Sequence, residues 1–272
     1  MSSRNLTDES YWSSLWQHDV PLPKPVDPSD KRPANTVVLT WDKFFRKALK
    51  DVGPGASFLE IGCAQSRWLP YFHNELGFDV AGLDYSEVGC VKARRMLEAA
   101  GVSGEVHHAD MFKAPAMLQG KFDVVASFGV IEHFKDTAEC LEVCASFLKP
   151  GGILLTTIPN MRGSIGWLQQ NLDETTYDIH VPLGPDDLAT AHAEASLDLK
   201  HCDYLMSANW GVVALPRMRG LPRRALKVML KGATRLVWQF ERLGVSLPSN
   251  RLTSPYIACV GVRTEDGGLA VS

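Results

Sequence analysis

Ser57-Phe58-Leu59-Glu60-Ile61-Gly62-Cys63-Ala64-Gln65-Ser66, followed by Val80-Ala81-Gly82-Leu83-Asp84-Tyr85, decides how this chain folds. Each of these short apolar runs carries a carboxylate, Glu60 and Asp84, 24 positions apart, and the first opens directly into a turn of small residues. Buried parallel strands read as unbroken apolar runs, and a turn whose backbone must approach a ligand needs small side chains. Gly62 and Ala64 meet that need. An acid ending the second strand, roughly 20 residues on, can accept hydrogen bonds from a ribose, and Asp84 stands there. The dinucleotide form of this unit carries G-x-G-x-x-G so that a pyrophosphate can lie against bare amides at a helix N-terminus. One glycine in the turn serves a pyrophosphate poorly, so the pattern predicts a nucleoside-type ligand without phosphates.

Around this unit the chain has 272 residues, 45% hydrophobic and 22% charged, which suits one substantial core with insertions. The net charge of −3 argues against a whole-protein polyanion binder, so nucleic acid is not an expected partner. No apolar run reaches the roughly 18 residues of a membrane span, and Met1-Ser2-Ser3-Arg4 lacks the apolar core of a secretory signal. A cytoplasmic protein is expected. The six cysteines contain no C-x-x-C pair, and Cys140 and Cys144 share one helix face, so neither a zinc site nor a disulfide framework is expected.

Residues 1–35 hold the aromatic segment Tyr11-Trp12-Ser13-Ser14-Leu15-Trp16 and an extended proline-rich linker, Pro21 to Pro28. The aromatics read either as a lid over a ligand or as a helix seated on the core by Trp12 and Trp16. From Thr36 the spacing predicts a helix to Lys50, and then strands and helices alternate. Strands are predicted at 57–61, 79–83, 105–108, 122–127 and 153–158, with helices at 68–76, 86–100 and 137–148 between them. This βα alternation implies a parallel sheet covered on both faces. Two further strands are predicted near 199–205 and 256–262. The expected division is a catalytic domain over 36–210 and 255–264, with a helical insertion at 211–254 before the last strand.

With these elements in order, the chain resembles the class I S-adenosylmethionine-dependent methyltransferases, most closely over residues 55–160. The matching residues are Glu60-Ile61-Gly62-Cys63-Ala64, Asp84, Ala109-Asp110-Met111, Phe122-Asp123-Val124-Val125, Ile131-Glu132-His133 and Leu148-Lys149-Pro150-Gly151-Gly152. The resemblance implies a Rossmann-like α/β fold: seven strands, mostly parallel, in the order 3-2-1-4-5-7-6, with strand seven antiparallel. The first loop departs from the family, which more often has glycines at the places of Ala64 and Ser66. Ubiquinone-pathway O-methyltransferases and some RNA-end methyltransferases carry a second acid three residues before their Glu-His pair, and those side chains hold a divalent metal. Here that place is Gly129, so no metal is expected.

The resemblance assigns the S-adenosyl-L-methionine site to Glu60, Gly62, Ala64, Asp84, Tyr85, Asp110, Met111 and Phe128. Asp84 takes the ribose, Asp110 the adenine amine, the Met111 amide an adenine nitrogen, and Tyr85 the adenine face. Methyl transfer from a sulfonium is an in-line displacement, in which the protein mainly positions the acceptor and excludes water. A hydroxyl acceptor gains roughly 10²–10⁴-fold from a general base, for which histidine is the usual choice near neutral pH. The candidate bases are His133, leaving strand four beside the crevice, and His180, in the variable region after strand five. The competing readings are a helix cap at Glu132-His133 and a loop histidine satisfied by backbone at His180. His107 and His108 read as structural.

Between residues 217 and 243 the charges are Arg217, Arg219, Arg223, Arg224, Lys227, Lys231, Arg235 and Arg242 against Glu241. On a helix, Lys227, Lys231 and Arg235 form one stripe, and Leu226, Met229, Leu230, Leu236 and Phe240 lie on the other face. Such a helix packs on its own domain or on a homodimer partner with a solvated basic face, or it meets an anionic membrane surface. The expected activity is methylation of a small-molecule or glycan-type acceptor at oxygen. A protein or RNA methyltransferase docking through the basic helix, and a non-catalytic S-adenosylmethionine-binding scaffold, remain as alternatives.

Overall fold

The computed structural model describes residues 5–17, 21–215, 218–245 and 247–264. Seven strands, β1 (Ser57–Ile61), β2 (Asp79–Asp84), β3 (Glu105–His108), β4 (Phe122–Phe128), β5 (Leu148–Pro159), β6 (Leu197–Leu205) and β7 (Tyr256–Arg263), form one sheet. Its order is β3-β2-β1-β4-β5-β7-β6. The first five strands run parallel, and β7 runs antiparallel to both β5 and β6. The sheet order expected from the sequence is therefore the order found.

Period-two alternation divides each strand between two cores. Phe58, Val80, Val124, Ala126 and Leu155 face one side with Trp41, Phe44 and Phe45 of α2 (Thr36–Ala48) and Leu69, Tyr71 and Phe72 of α3 (Trp68–Leu76). Ala93 and Leu97 of α4 (Glu87–Ala99) complete that layer. Leu59, Ile61, Leu83, Val125 and Leu154 face the other side, covered by α5 (Thr137–Ser146) and, beyond it, α8 (Pro185–Glu194). α6 (Ser164–Leu172) and α7 (Glu174–Asp178) follow the end of β5. A short helix, α1 (Glu9–Trp16), precedes these layers, and none of its residues is buried. The last helix, α9 (Gly220–Arg242), lies between β6 and β7 and packs through Leu226 and Leu230 against Ile165, Val213 and Leu215.

Two sequence expectations change. The helix predicted to Leu148 stops at Ser146, because Leu148 already pairs with Phe122 as the first residue of β5. Cys202 and Cys259, expected to be free, lie directly opposite in the β6–β7 register and form a disulfide. They are 57 residues apart, and only strand register brings them together. Cys63, Cys90, Cys140 and Cys144 are free and buried.

Candidate active site

The carboxyl ends of β1, β2 and β4 open onto a cavity of about 470 Å³, where open α/β sheets bind ligands. Glu60, Gly62, Ala64, Asp84, Tyr85, Asp110, Met111 and Phe128 all line it, as does His133. His180 lies against His133, with ring centroids 4.6 Å apart.

The turn after β1 can take only glycine at its first position. Gly62 has φ +73°, and a Cβ there would stand 2.4 Å from Val130 Cγ2. Asp84 is 6% exposed and held by two amides: Oδ2 accepts from Ala64 N at 3.0 Å and Oδ1 from Ser86 N at 2.8 Å. This fixes the carboxylate between the β1 turn and the start of α4. Burial raises its pKa, and the two amide bonds oppose the shift. Glu60 is more enclosed, and burial pushes its carboxyl up to about 8 while a 2.7 Å bond from Ser66 Oγ to Oε2 opposes. Asp110 Oδ1 accepts from Phe112 N at 3.0 Å, capping the 3₁₀ turn Met111–Lys113 and holding Met111 at the wall. His108 donates Nε2–H to the Tyr85 carbonyl at 3.0 Å and has the structural place read for it.

At the exit of β4 a 3₁₀ turn, Ile131–His133, buries Glu132 and His133. His133 Nδ1 donates to the Ile179 carbonyl at 2.6 Å, and His180 Nδ1 donates to the Thr176 carbonyl at 2.7 Å. A carbonyl only accepts, so each ring carries its proton on Nδ1 and keeps a lone pair on Nε2. Burial drives His133 down to about 4, with His180 adding to the effect and the Ile179 bond opposing it. His180 is lowered by burial too. Both rings are therefore neutral near pH 7. Glu132 Oε2 has no hydrogen-bond partner, and burial pushes that carboxyl up to about 8.

Glu132, His133 and His180 each bring a ligand atom within 4.8 Å of the others. The Nδ1 bonds to backbone carbonyls fix the orientation of both rings, as hydrogen bonds to the far nitrogen do for metal-ligating histidines. An orphaned carboxylate oxygen beside two imidazoles is a donor set that fits a divalent cation such as zinc, iron or manganese better than magnesium. A Cβ on Gly129 would lie 3.6 Å from Glu132 Oε1, so the acid absent from the sequence would have stood beside this set. The expectation of no metal weighed Gly129 and counted His180 only as a base. In space His180 brings a third candidate ligand atom to Glu132 and His133.

The N-terminal segment closes over one side of the cavity. Leu6 N donates to the His133 carbonyl at 2.9 Å, and Ser13 Oγ lies 3.0 Å from Ser86 Oγ. Trp12 and Trp16 line the cavity, so of the two readings of these aromatics the geometry is that of a cover. Arg67, not singled out in the sequence, also lines the cavity. Its Nη2 donates to the Pro25 carbonyl, its buried Nε has no partner, and it pairs with no carboxylate among the described residues. Only its position one turn beyond Gly62 could have drawn attention to it.

This sheet order, with a cavity at its switch point, defines a class I methyltransferase fold. The chain belongs to the class I S-adenosylmethionine-dependent methyltransferases, matching the family described as Methyltransferase domain over residues 36–231, and its cofactor is S-adenosylmethionine. A ubiquinone biosynthesis O-methyltransferase of Aromatoleum aromaticum is 28% identical over 160 residues, 56% of this chain and 64% of that protein. One from Caulobacter vibrioides is 36% identical over 106 residues, 39% of this chain and 42% of that protein. The matched part spans less than two thirds of those relatives' lengths. In fold, the geranyl diphosphate C-methyltransferase of Streptomyces coelicolor aligns with a TM-score of 0.62 at 15% identity, over 94% of this chain and 97% of that one.

Proposed function

We propose that the protein transfers the methyl group of S-adenosylmethionine to a hydroxyl of a small-molecule or glycan-type acceptor, with Nε2 of His133 or His180 receiving the acceptor's proton. The carbon–sulfur bond of the sulfonium breaks as the carbon–oxygen bond forms, leaving S-adenosylhomocysteine and a protonated imidazole that returns its proton to water. The observation that carries this reading is the pair of neutral rings whose Nδ1 atoms are committed to backbone, leaving Nε2 of each as an acceptor, with His133 in the cavity wall and His180 packed against it. The O-methyltransferase names of the relatives point to the same acceptor atom. The test is release of S-adenosylhomocysteine with matched hydroxyl, amine and thiol acceptors, for the native protein and for His133→Ala and His180→Ala. Turnover only with amines or thiols, or full turnover in both variants, would discard the reading.

The orphaned Glu132 Oε2 favours a second reading. A divalent cation held by Glu132, His133 and His180 would supply Lewis acidity to the acceptor oxygen, and the Nε2 atoms would then serve as ligands instead of bases. Turnover that survives exhaustive chelation separates the first reading from the second.

A further inference from the structure

α9 is divided lengthwise into three faces. Leu226, Leu230, Thr234 and Trp238 recur every four residues and turn inward: the last three are buried, Trp238 Nε1 donates to the Ala208 carbonyl at 2.9 Å, and Thr234 Oγ1 accepts from Trp210 N at 2.9 Å. One apolar stripe is thereby satisfied by the body of the protein. A second is not. Met229, Leu236, Phe240 and Leu243, spaced by seven, four and three, fall on the opposite side and are 62%, 59%, 47% and 80% exposed. Along one flank between these faces run Arg224, Lys227, Lys231, Arg235 and Arg242. Among the described residues none of the five pairs with a carboxylate, and Glu241 is the helix's only acid.

We propose that α9 lies flat on an anionic lipid bilayer, with its outward apolar stripe in the headgroup and acyl boundary and its basic flank on the lipid phosphates. An exposed Leu/Met/Phe row beside unpaired Lys and Arg is the composition of an interfacial helix. A second copy of the chain suits this surface badly. Two α9 helices packed through their apolar stripes would bring basic flanks together, with Glu241 as the only acid on each. Anionic lipid supplies the charge that a second copy lacks. The helix rests on the surface and does not cross it, since no described helix is long and apolar enough to span a bilayer. Its position also fits. The segment carrying α9 leaves the sheet at Leu205 and rejoins it at Tyr256, and Tyr256 pairs with Leu205 on one side and Pro159 on the other. That is the sheet end onto which the cavity opens, so the segment carrying α9 and the cavity belong to the same end of the sheet.

Vesicle co-sedimentation tests this, comparing phosphatidylcholine alone with phosphatidylcholine mixed with phosphatidylglycerol, at low and high salt. The expected result is binding to the mixed vesicles only, weakened by salt. It should fall by at least about tenfold in Lys231→Glu/Arg235→Glu, since each basic residue near an anionic surface contributes roughly a fivefold factor and two are lost. Leu236→Asp/Phe240→Asp should fall comparably, with unchanged melting temperature and unchanged S-adenosylmethionine binding as controls on folding. Equal binding to neutral vesicles, no binding to either, or full binding by both variants overturns the proposal. So does a lipid-free dimer that Leu236→Asp/Phe240→Asp dissolves while vesicle binding is absent.

Discussion

Trp12 meets His133 edge to face, with ring centroids 5.1 Å apart, so a residue from the N-terminal segment shields the histidine leaving β4. Trp12 also lines the cavity at the carboxyl ends of the strands, and its Nε1 donates to Thr7 Oγ1 at 3.0 Å. Trp12→Ala removes the edge-to-face contact with His133, the ring contacts with Tyr11 and Trp16, and part of the cover. Calorimetric titration is expected to show S-adenosylmethionine affinity lowered by roughly three- to tenfold, the range of a lost aromatic contact. Unchanged affinity would reduce α1 to a bystander.

Asp84 carries the ribose assignment. Asp84→Ala removes a charge-assisted acceptor and frees the Ala64 and Ser86 amides at once, so affinity for S-adenosylmethionine should drop by at least about tenfold, from hydrogen bonds of ~1.5–3 kcal/mol each. Asp84→Asn keeps one acceptor and should fall between the two. Native affinity in Asp84→Ala would move the ribose elsewhere.

Gly62→Ala should be harsher than its single added methyl suggests. It places a Cβ 2.4 Å from Val130 Cγ2 and forces a side chain into a left-handed backbone. The strained φ alone costs about 1–3 kcal/mol, so both melting temperature and cofactor affinity should decrease. A variant as stable as the parent would show that the turn relaxes freely.

Stability should depend on pH through the buried acids. Glu60 titrates near 8 when folded against an ordinary 4.5, so between those values the folded chain holds a proton that the unfolded chain has lost. Its contribution is fully present below about 4.5 and declines as pH rises toward 8, and Glu132 behaves alike. His133 works the other way, but only between about 4 and 6.5. Above pH 6.5 the acids alone remain, and the cofactor-free protein should lose stability up to pH 8, by at most about 1.4 kcal/mol per pH unit for each acid. Thermal melts of Glu60→Gln should show a flatter slope in that window. An unaltered slope would mean that Glu60 ionises normally in the fold.

The sheet was legible because its signals are local. The run to Ile61, the Gly62 turn and the carboxylate at Asp84 each sit within a few residues, and their spacing alone implies one βαβ unit. What stayed hidden depends on contacts between distant segments. His180 is 47 positions from His133, and nothing in either neighbourhood announces that the rings touch. Cys202 and Cys259 meet only through strand register. The helical pattern of α9 assigned Leu230 and Leu236 to a common apolar face, yet one is 7% exposed and the other 59%. Hydrophobic periodicity locates an apolar stripe but not the surface it lies against.

The seat of the N-terminal segment is shallow. It rests on a backbone bond to His133, a hydroxyl contact at Ser86 and two indole rings, with no buried residue in α1. Its anchor points lie on separate elements, the His133 carbonyl at the exit of β4 and Ser86 at the start of α4. One short segment therefore ties two otherwise separate elements across the cavity mouth, and without it the wall would lose Asn5, Thr7, Trp12 and Trp16 together.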